Sequence, residues 1–220
     1  MTPPDQPAQP APDADGAHER VHRSTGAMVG GAVMLALAGW ITVDAVLRGE
    51  GRTPWLVLAG ALLAVPLIVA FTFRPAVWAD GRRLRIRNPF RTIVLPWSTV
   101  ADVRAGYSSE VFTEGGDKYQ LWSIPVSLRQ RKQAARRQAR AGSGGPRGRA
   151  QDHTRHHDSR PGTAPADQAV AELREMAERL GSAPQAQGEV RVRWAYEVLA
   201  PAAAGAVLLA VLLAVLLATG

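Results

Sequence analysis

Few residues of this chain have the type and spacing that chemistry needs. The 220 residues include no Cys, which excludes a thiol nucleophile, a disulfide framework and thiolate-held zinc or iron–sulfur clusters. Histidines gather in one tract, His153, Thr154, Arg155, His156, His157 and Asp158. Imidazoles three or four residues apart share a helix face and can ligate zinc or nickel. Here Arg155 and Arg160 stand inside the tract and repel a divalent cation, and its surroundings offer nothing to orient the rings. No Gly-rich phosphate loop ends in Lys-Ser/Thr, no Gly-x-Ser-x-Gly elbow occurs, and the Asp, Glu and Ser residues show no paired spacing. The expectation is a chain that is not an enzyme and holds neither metal nor cofactor.

The strongest chemical signal is charge. Arg129, Arg131, Lys132, Arg136, Arg137 and Arg140 put six cations and no acid into twelve residues. Such a run serves as a solvated tether, or it contacts anionic lipid headgroups, where each cation contributes about 1 kcal/mol. Nucleic acid fits less well, because no aromatic residue is interleaved for base stacking. A lone acid, Asp44, lies inside an apolar stretch and invites a transport or proton role. Arg48 follows four residues later, where it can pair with Asp44 on one helix face.

The elements that position these residues are dominated by three apolar stretches, Ala27–Leu47, Pro54–Phe73 and Val198–Thr219. About 20 residues at 1.5 Å each cover the roughly 30 Å of a hydrocarbon core, so each reads as a transmembrane helix. The first is too long for a signal peptide and leads into Arg48 and Glu50. Gly26-x-x-x-Gly30, with Gly31 and Gly39, gives that helix small faces. These suit packing on the second helix, or a homo-oligomer through the first. The segment Arg74–Tyr196 holds 22 Arg and Lys against 12 acids, whereas the loop Arg48–Thr53 has two Arg and one Glu. Basic flanks stay inside, which puts the N-terminus and the central segment in the cytoplasm and Gly220 outside. Trp40, Trp55, Trp78 and Trp194 lie near the ends of these stretches, where aromatic belts form.

Between the second and third stretches, 74–128 has period-two patterning with turn residues at close intervals. Asp80-Gly81 suits a type I′ hairpin, and Gly115-Gly116 a second turn. Pro96 ends a strand or sits on an edge. Residues 129–166 are rich in Arg and Gly with almost no apolar periodicity, and read as a disordered insertion with room for a short helix at its start. Residues 167–181 read as an amphipathic helix with Val170, Leu173, Ala177 and Leu180 on one face, Asp167 as cap and Gly181 just past its end. Residues 1–25 read as a disordered tail, 26–73 as a transmembrane hairpin, 182–197 as a juxtamembrane linker and 198–219 as the third span.

A strand, the Ala79-Asp80-Gly81 turn, the strand Leu84–Asn88, the segment Ile93–Val100 and a final helix over Ala169–Leu180 together resemble the bacterial PH-like domain. Within that group the chain is similar to membrane-anchored proteins of the low-molecular-weight antigen type. The most specific piece is Leu95-Pro96-Trp97-Ser98-Thr99-Val100, a hydrophobic-Pro-Trp-small-x-hydrophobic pattern. The resemblance covers about Phe73–Leu128 and Asp167–Leu180; the Arg/Gly-rich insertion departs from it. It implies a small, strongly bent, seven-stranded antiparallel barrel capped by one helix, and no catalytic residues. Leu95, Pro96 and Trp97 are then core residues, since a large aromatic at a strand end buries over ~150 Å². The fold expected is a membrane protein with an α+β soluble part. Both ends of that part are anchored, so recruitment to the membrane is redundant and the expected partners are a protein of unknown identity, then membrane lipids. An accessory role in transport is a further possibility.

Overall fold

The computed structural model of the chain describes residues 20–127 and 164–219, with 129, 132, 133, 135, 136 and 139 between them. The apolar stretches form α1 (Thr25–Arg48), α2 (Thr53–Thr72) and, at the end, α4 (Tyr196–Thr219), each long and apolar enough to cross a membrane. Ser24 starts α1, its hydroxyl accepting the Ala27 N–H at 3.3 Å, and Pro54 opens α2 where a missing N–H costs nothing. α2 lies between the other two, and glycines permit both contacts. A Cβ on Gly31 would fall within 2.5–2.7 Å of Thr72 and Phe73 atoms, and one on Gly205 would collide with the Leu62–Leu63 backbone. Gly26, Gly30 and Gly39 face no other part of the described chain.

Eight strands among the described residues form two antiparallel sheets. The larger has the order β1 (Arg20–His22), β2 (Ala76–Ala79), β3 (Arg83–Arg87), β4 (Arg91–Pro96), β8 (Arg191–Trp194). The smaller is β5 (Val100–Ala105), β6 (Ser109–Thr113), β7 (Lys118–Gln120). Alternation sorts the faces: Leu84 and Ile86 on β3, and Ile93 and Leu95 on β4, are fully buried, while Arg83, Arg85 and Arg87 point away. Between β4 and β5 a single 3₁₀ turn, Trp97–Thr99, carries the chain from one sheet to the other and drives Trp97 into the shared core. The indole N–H donates to the Asp80 carbonyl at 2.8 Å. Helix α3 (Pro165–Leu180) closes that core with Ala169, Val170, Leu173 and Met176. Arg174 fastens it to β5, bonding Asp102 Oδ1 at 3.0 Å and the Val103 carbonyl at 2.6 Å.

Several expectations are corrected here. Among the described residues no closed barrel of seven strands forms, because β8 returns after α3 and takes the edge of β4 that a closing strand would need. Residues 182–197 therefore contain a sheet strand rather than only a linker, and the tail assigned to 1–25 ends in β1, paired with β2. Gly81 does not adopt positive φ. The turn is centred on Gly81-Arg82, and Asp80 Oδ1 accepts the Arg82 and Arg83 N–H groups at 2.8 and 2.9 Å, so a type I′ geometry is unnecessary. Gly116, by contrast, turns β6 into β7 with φ +86°. Helix α3 starts two residues before Asp167, which sits in its first turn, and Gly181 ends it with right-handed backbone. Trp78 belongs to β2, not to a helix end.

Candidate functional site

Three short joints tie the larger sheet to the helices. Arg23 and Ser24 join β1 to α1; Phe73, Arg74 and Pro75 join α2 to β2; Ala195 alone joins β8 to α4. The registers His22↔Val77, Ala76↔Arg87, Thr92↔Arg193 and Arg91↔Trp194 put all three joints at the same end of the strands. Arg74 locks this end. Its guanidinium, with the side chain only 8% exposed, meets Glu197 at 2.7 Å, the Asn88 carbonyl at 3.2 Å and the Thr92 hydroxyl at 3.4 Å. One side chain thus bonds the β3–β4 turn, β4 and the first turn of α4. Beside it Phe71 of α2 meets Phe90 and Trp122 edge-on, with centroids 5.3 and 5.5 Å apart.

Above that end, the outer face of the sheet is a field of arginines. Arg83, Arg85 and Arg87 project from β3, and Arg191 and Arg193 from β8, all exposed. Between them β4 presents Thr92 and Val94, paired with Arg193 and Arg191. Strand spacing puts the two columns about 10 Å apart, and Arg83 about 14 Å along β3 from Arg87. Trp78 of β2, opposite Arg85, holds Arg87 6.0 Å and Arg23 5.6 Å from its ring centre, which orients both guanidinium groups. Arg83 has Asp80 at 3.6 Å; among the described residues no carboxylate lies within 4 Å of Arg85, Arg191 or Arg193.

The profile of the bacterial PH domain family matches residues 74–189. The chain belongs to that family. No curated protein and no solved structure matches it. The matched span of this PH domain takes in β2 to β7 and α3. It stops short of both edge strands, so β1 and β8, with Arg191 and Arg193, lie outside the matched span and join it to α1 and α4. The α+β fold read from the sequence resemblance is that of the family, apart from the barrel closure corrected above.

The residues singled out from sequence are scattered by comparison. Leu95 and Trp97 lie in the core and Pro96 ends β4. Of the basic run, Arg129, Lys132 and Arg136 are helical and exposed, at spacings that put them on one helix face; Arg131, Arg137 and Arg140 lie outside the described residues, as do His153, His156 and His157. Among the described residues no three His, Asp or Glu side chains gather as metal ligands would. Asp44 pairs with Arg48 at 3.4 Å, both open to the surroundings. The sheet arginines were visible in the sequence only as a basic flank. Their convergence needs the β4–β8 pairing, for which Arg191-Val192-Arg193-Trp194 is too short a signal.

A cleft of about 460 Å³ opens behind β1, lined by His22, Ser24, Ser123, Pro125, Pro165 and Ala169. Among the described residues His22 Nε2 and the buried Ser123 hydroxyl find no hydrogen-bond partner. Burial holds the His22 imidazole below its ordinary value, against the opposing pull of Glu172, which itself bonds Arg20 at 2.9 Å. Asp102 is likewise held below the usual carboxylate range, by hydrogen bonds from Arg104 and the Val103 N–H and the nearby Arg174 charge.

Proposed function

We propose that this chain is a non-enzymatic membrane protein of three spans whose PH domain serves as a docking platform for another protein at the cytoplasmic face. The supporting observation is the joint geometry. The two edge strands and β2 run into α1, α4 and α2 through one to three residues, and Arg74 bonds across the junction. A domain held this firmly gains nothing from reversible lipid targeting, whereas a fixed orientation favours assembly with a partner that is itself in or at the membrane. The cytoplasmic placement rests on the basic balance of 74–196.

The test is crosslinking in native membranes followed by quantitative recovery of the full-length chain. The reading expects one polypeptide enriched with the wild type and reduced with Trp97→Ala, which keeps the helices and weakens the core of the domain. Recovery of membrane proteins only in proportion to their abundance removes the reading. A second reading, contact with anionic headgroups, is favoured by Arg87 and Arg193 at the helix end of the sheet and by the exposed Arg129, Lys132 and Arg136. Asp44, paired with Arg48 at the end of α1, lends no support to an accessory role in transport.

A further inference from the structure

We infer that the outer face of the five-stranded sheet is the docking surface itself, and that its occupant is an acidic polypeptide segment standing upright along β3 and β8. This rests on the docking reading above and specifies its site and partner chemistry. Charge argues first. Five exposed arginines share one face, and only Arg83 among them has a carboxylate within 4 Å among the described residues. A second copy of the chain presenting this same face would oppose like with like.

Height decides between polypeptide and lipid. The joints fix one end of the strands against the helices, with Arg87 and Arg193 in the nearest outward row. Arg85 and Arg191 stand about 7 Å farther along their strands and Arg83 about 14 Å farther than Arg87. The screening length at physiological salt is about 8 Å. A planar headgroup layer at the joints therefore engages the first row and leaves the rows above it increasingly screened. A segment running parallel to the strands meets both columns, with Thr92 and Val94 as the floor between them. Trp78 lowers the ordering cost by holding Arg87 in place before anything binds.

The chain's own residues 1–19 carry Asp5, Asp13, Asp15 and Glu19 and no Lys or Arg, so they are the competing occupant. Asp13, Asp15 and Glu19 lie within seven residues of Arg20 in the sequence, and Arg20 is on β1, at the opposite edge of the sheet from β8.

The experiment uses the full chain in nanodiscs of neutral phosphatidylcholine, with a labelled alternating Glu/Val peptide as probe and its Gln/Val counterpart as control. Fluorescence anisotropy should show salt-sensitive binding of the acidic peptide alone. Because single exposed ion pairs contribute little, the double variant Arg85→Gln/Arg191→Gln should weaken binding about tenfold, while Lys118→Gln on the smaller sheet leaves it unchanged. Equal binding by the double variant overturns the proposal. So does loss of peptide binding when phosphatidylglycerol is added, which gives the face to the membrane. So too does a large gain on deleting 1–19, which gives it to the chain's own terminus. A photo-crosslinker at Val94, or at Glu114 in the exposed turn between β6 and β7, in native membranes separates the two levels. Polypeptide adducts at Val94 support the face; adducts at Glu114 alone overturn the face but leave the docking reading; none at either site removes both.

Discussion

Replacing Trp97 is the sharpest test of how the PH domain is held together. The side chain is fully buried where the two sheets and α3 meet, and its one polar atom is satisfied by the Asp80 carbonyl at 2.8 Å. Two contributions can be separated. Trp97→Phe keeps most of the apolar volume and removes the indole donor, which should cost about 1 kcal/mol for the hydrogen bond plus a small cavity. Trp97→Ala removes the ring as well and should cost about 3–5 kcal/mol, the usual range for large aromatic truncations. Against a domain stability of about 5–15 kcal/mol, that removes a large share of the margin. Full-length protein in detergent, titrated with urea and sampled by a short protease pulse, reads the loss of the soluble part. Tyr107→Ala is the control, since Tyr107 is 97% exposed. If Trp97→Ala costs less than about 1 kcal/mol, or if Trp97→Phe costs as much as Trp97→Ala, ring burial does not organise this core.

Arg74→Met keeps the stem but loses the guanidinium, and should destabilise the junction by about 1.5–3 kcal/mol through the lost charged hydrogen bond to Asn88; Glu197→Gln should matter far less, because Glu197 faces solvent. Hydrogen exchange of the β3–β4 turn reads both. His22 has its pKa lowered by burial, so its contribution is complete above 6.5 and is lost as pH falls below that value toward the folded one; protease cleavage at Arg23 should rise over that window in the wild type and not in His22→Phe. For Asp102, also lowered, stability is present above the ordinary 3.8 and fades as pH falls below it, modestly because Arg104 and Arg174, which hold it, are exposed to screening; Asp102→Asn should flatten that acid limb of the proteolysis profile. Gly205→Leu should push α4 off α2, seen as loss of a disulfide engineered between the two helices. A reporter at Gly220 should be active outside and one at Gly144 only in the cytoplasm.

Local patterns were legible where one short stretch sufficed to write them. Runs of about 20 apolar residues announced α1, α2 and α4, alternation announced β3 and β4, and Leu95–Val100 announced the family. What escaped needed partners far apart in the chain. β1 is three residues and β8 is four, both largely exposed, so neither carries an apolar rhythm; each is a strand only because β2 and β4 offer free edges. The arginine face suffered for the same reason, as half of it depends on β8. Arg74 looked like one more basic flank, and only tertiary structure reveals it as a buried hub. Asp80-Gly81 misled because the aspartate side chain made the turn that glycine was expected to make.

The strand order β1-β2-β3-β4-β8 also dictates a schedule of manufacture. A nascent chain that has emerged only as far as Glu189 already contains the whole span matched to the family, yet β4 still presents a bare edge. Unpaired edges recruit other chains, so this interval is the hazardous one in the protein's biogenesis. β8 ends the hazard, but a single residue separates it from α4. Docking of β8 on β4 and the packing of Gly205 against α2 are therefore linked by a nearly rigid hinge, and neither completes far from the other. The two steps thus form one cooperative closure, in which the sheet and the helix bundle inspect each other: a chain whose α4 fails to pack against α2 also keeps an open sheet edge.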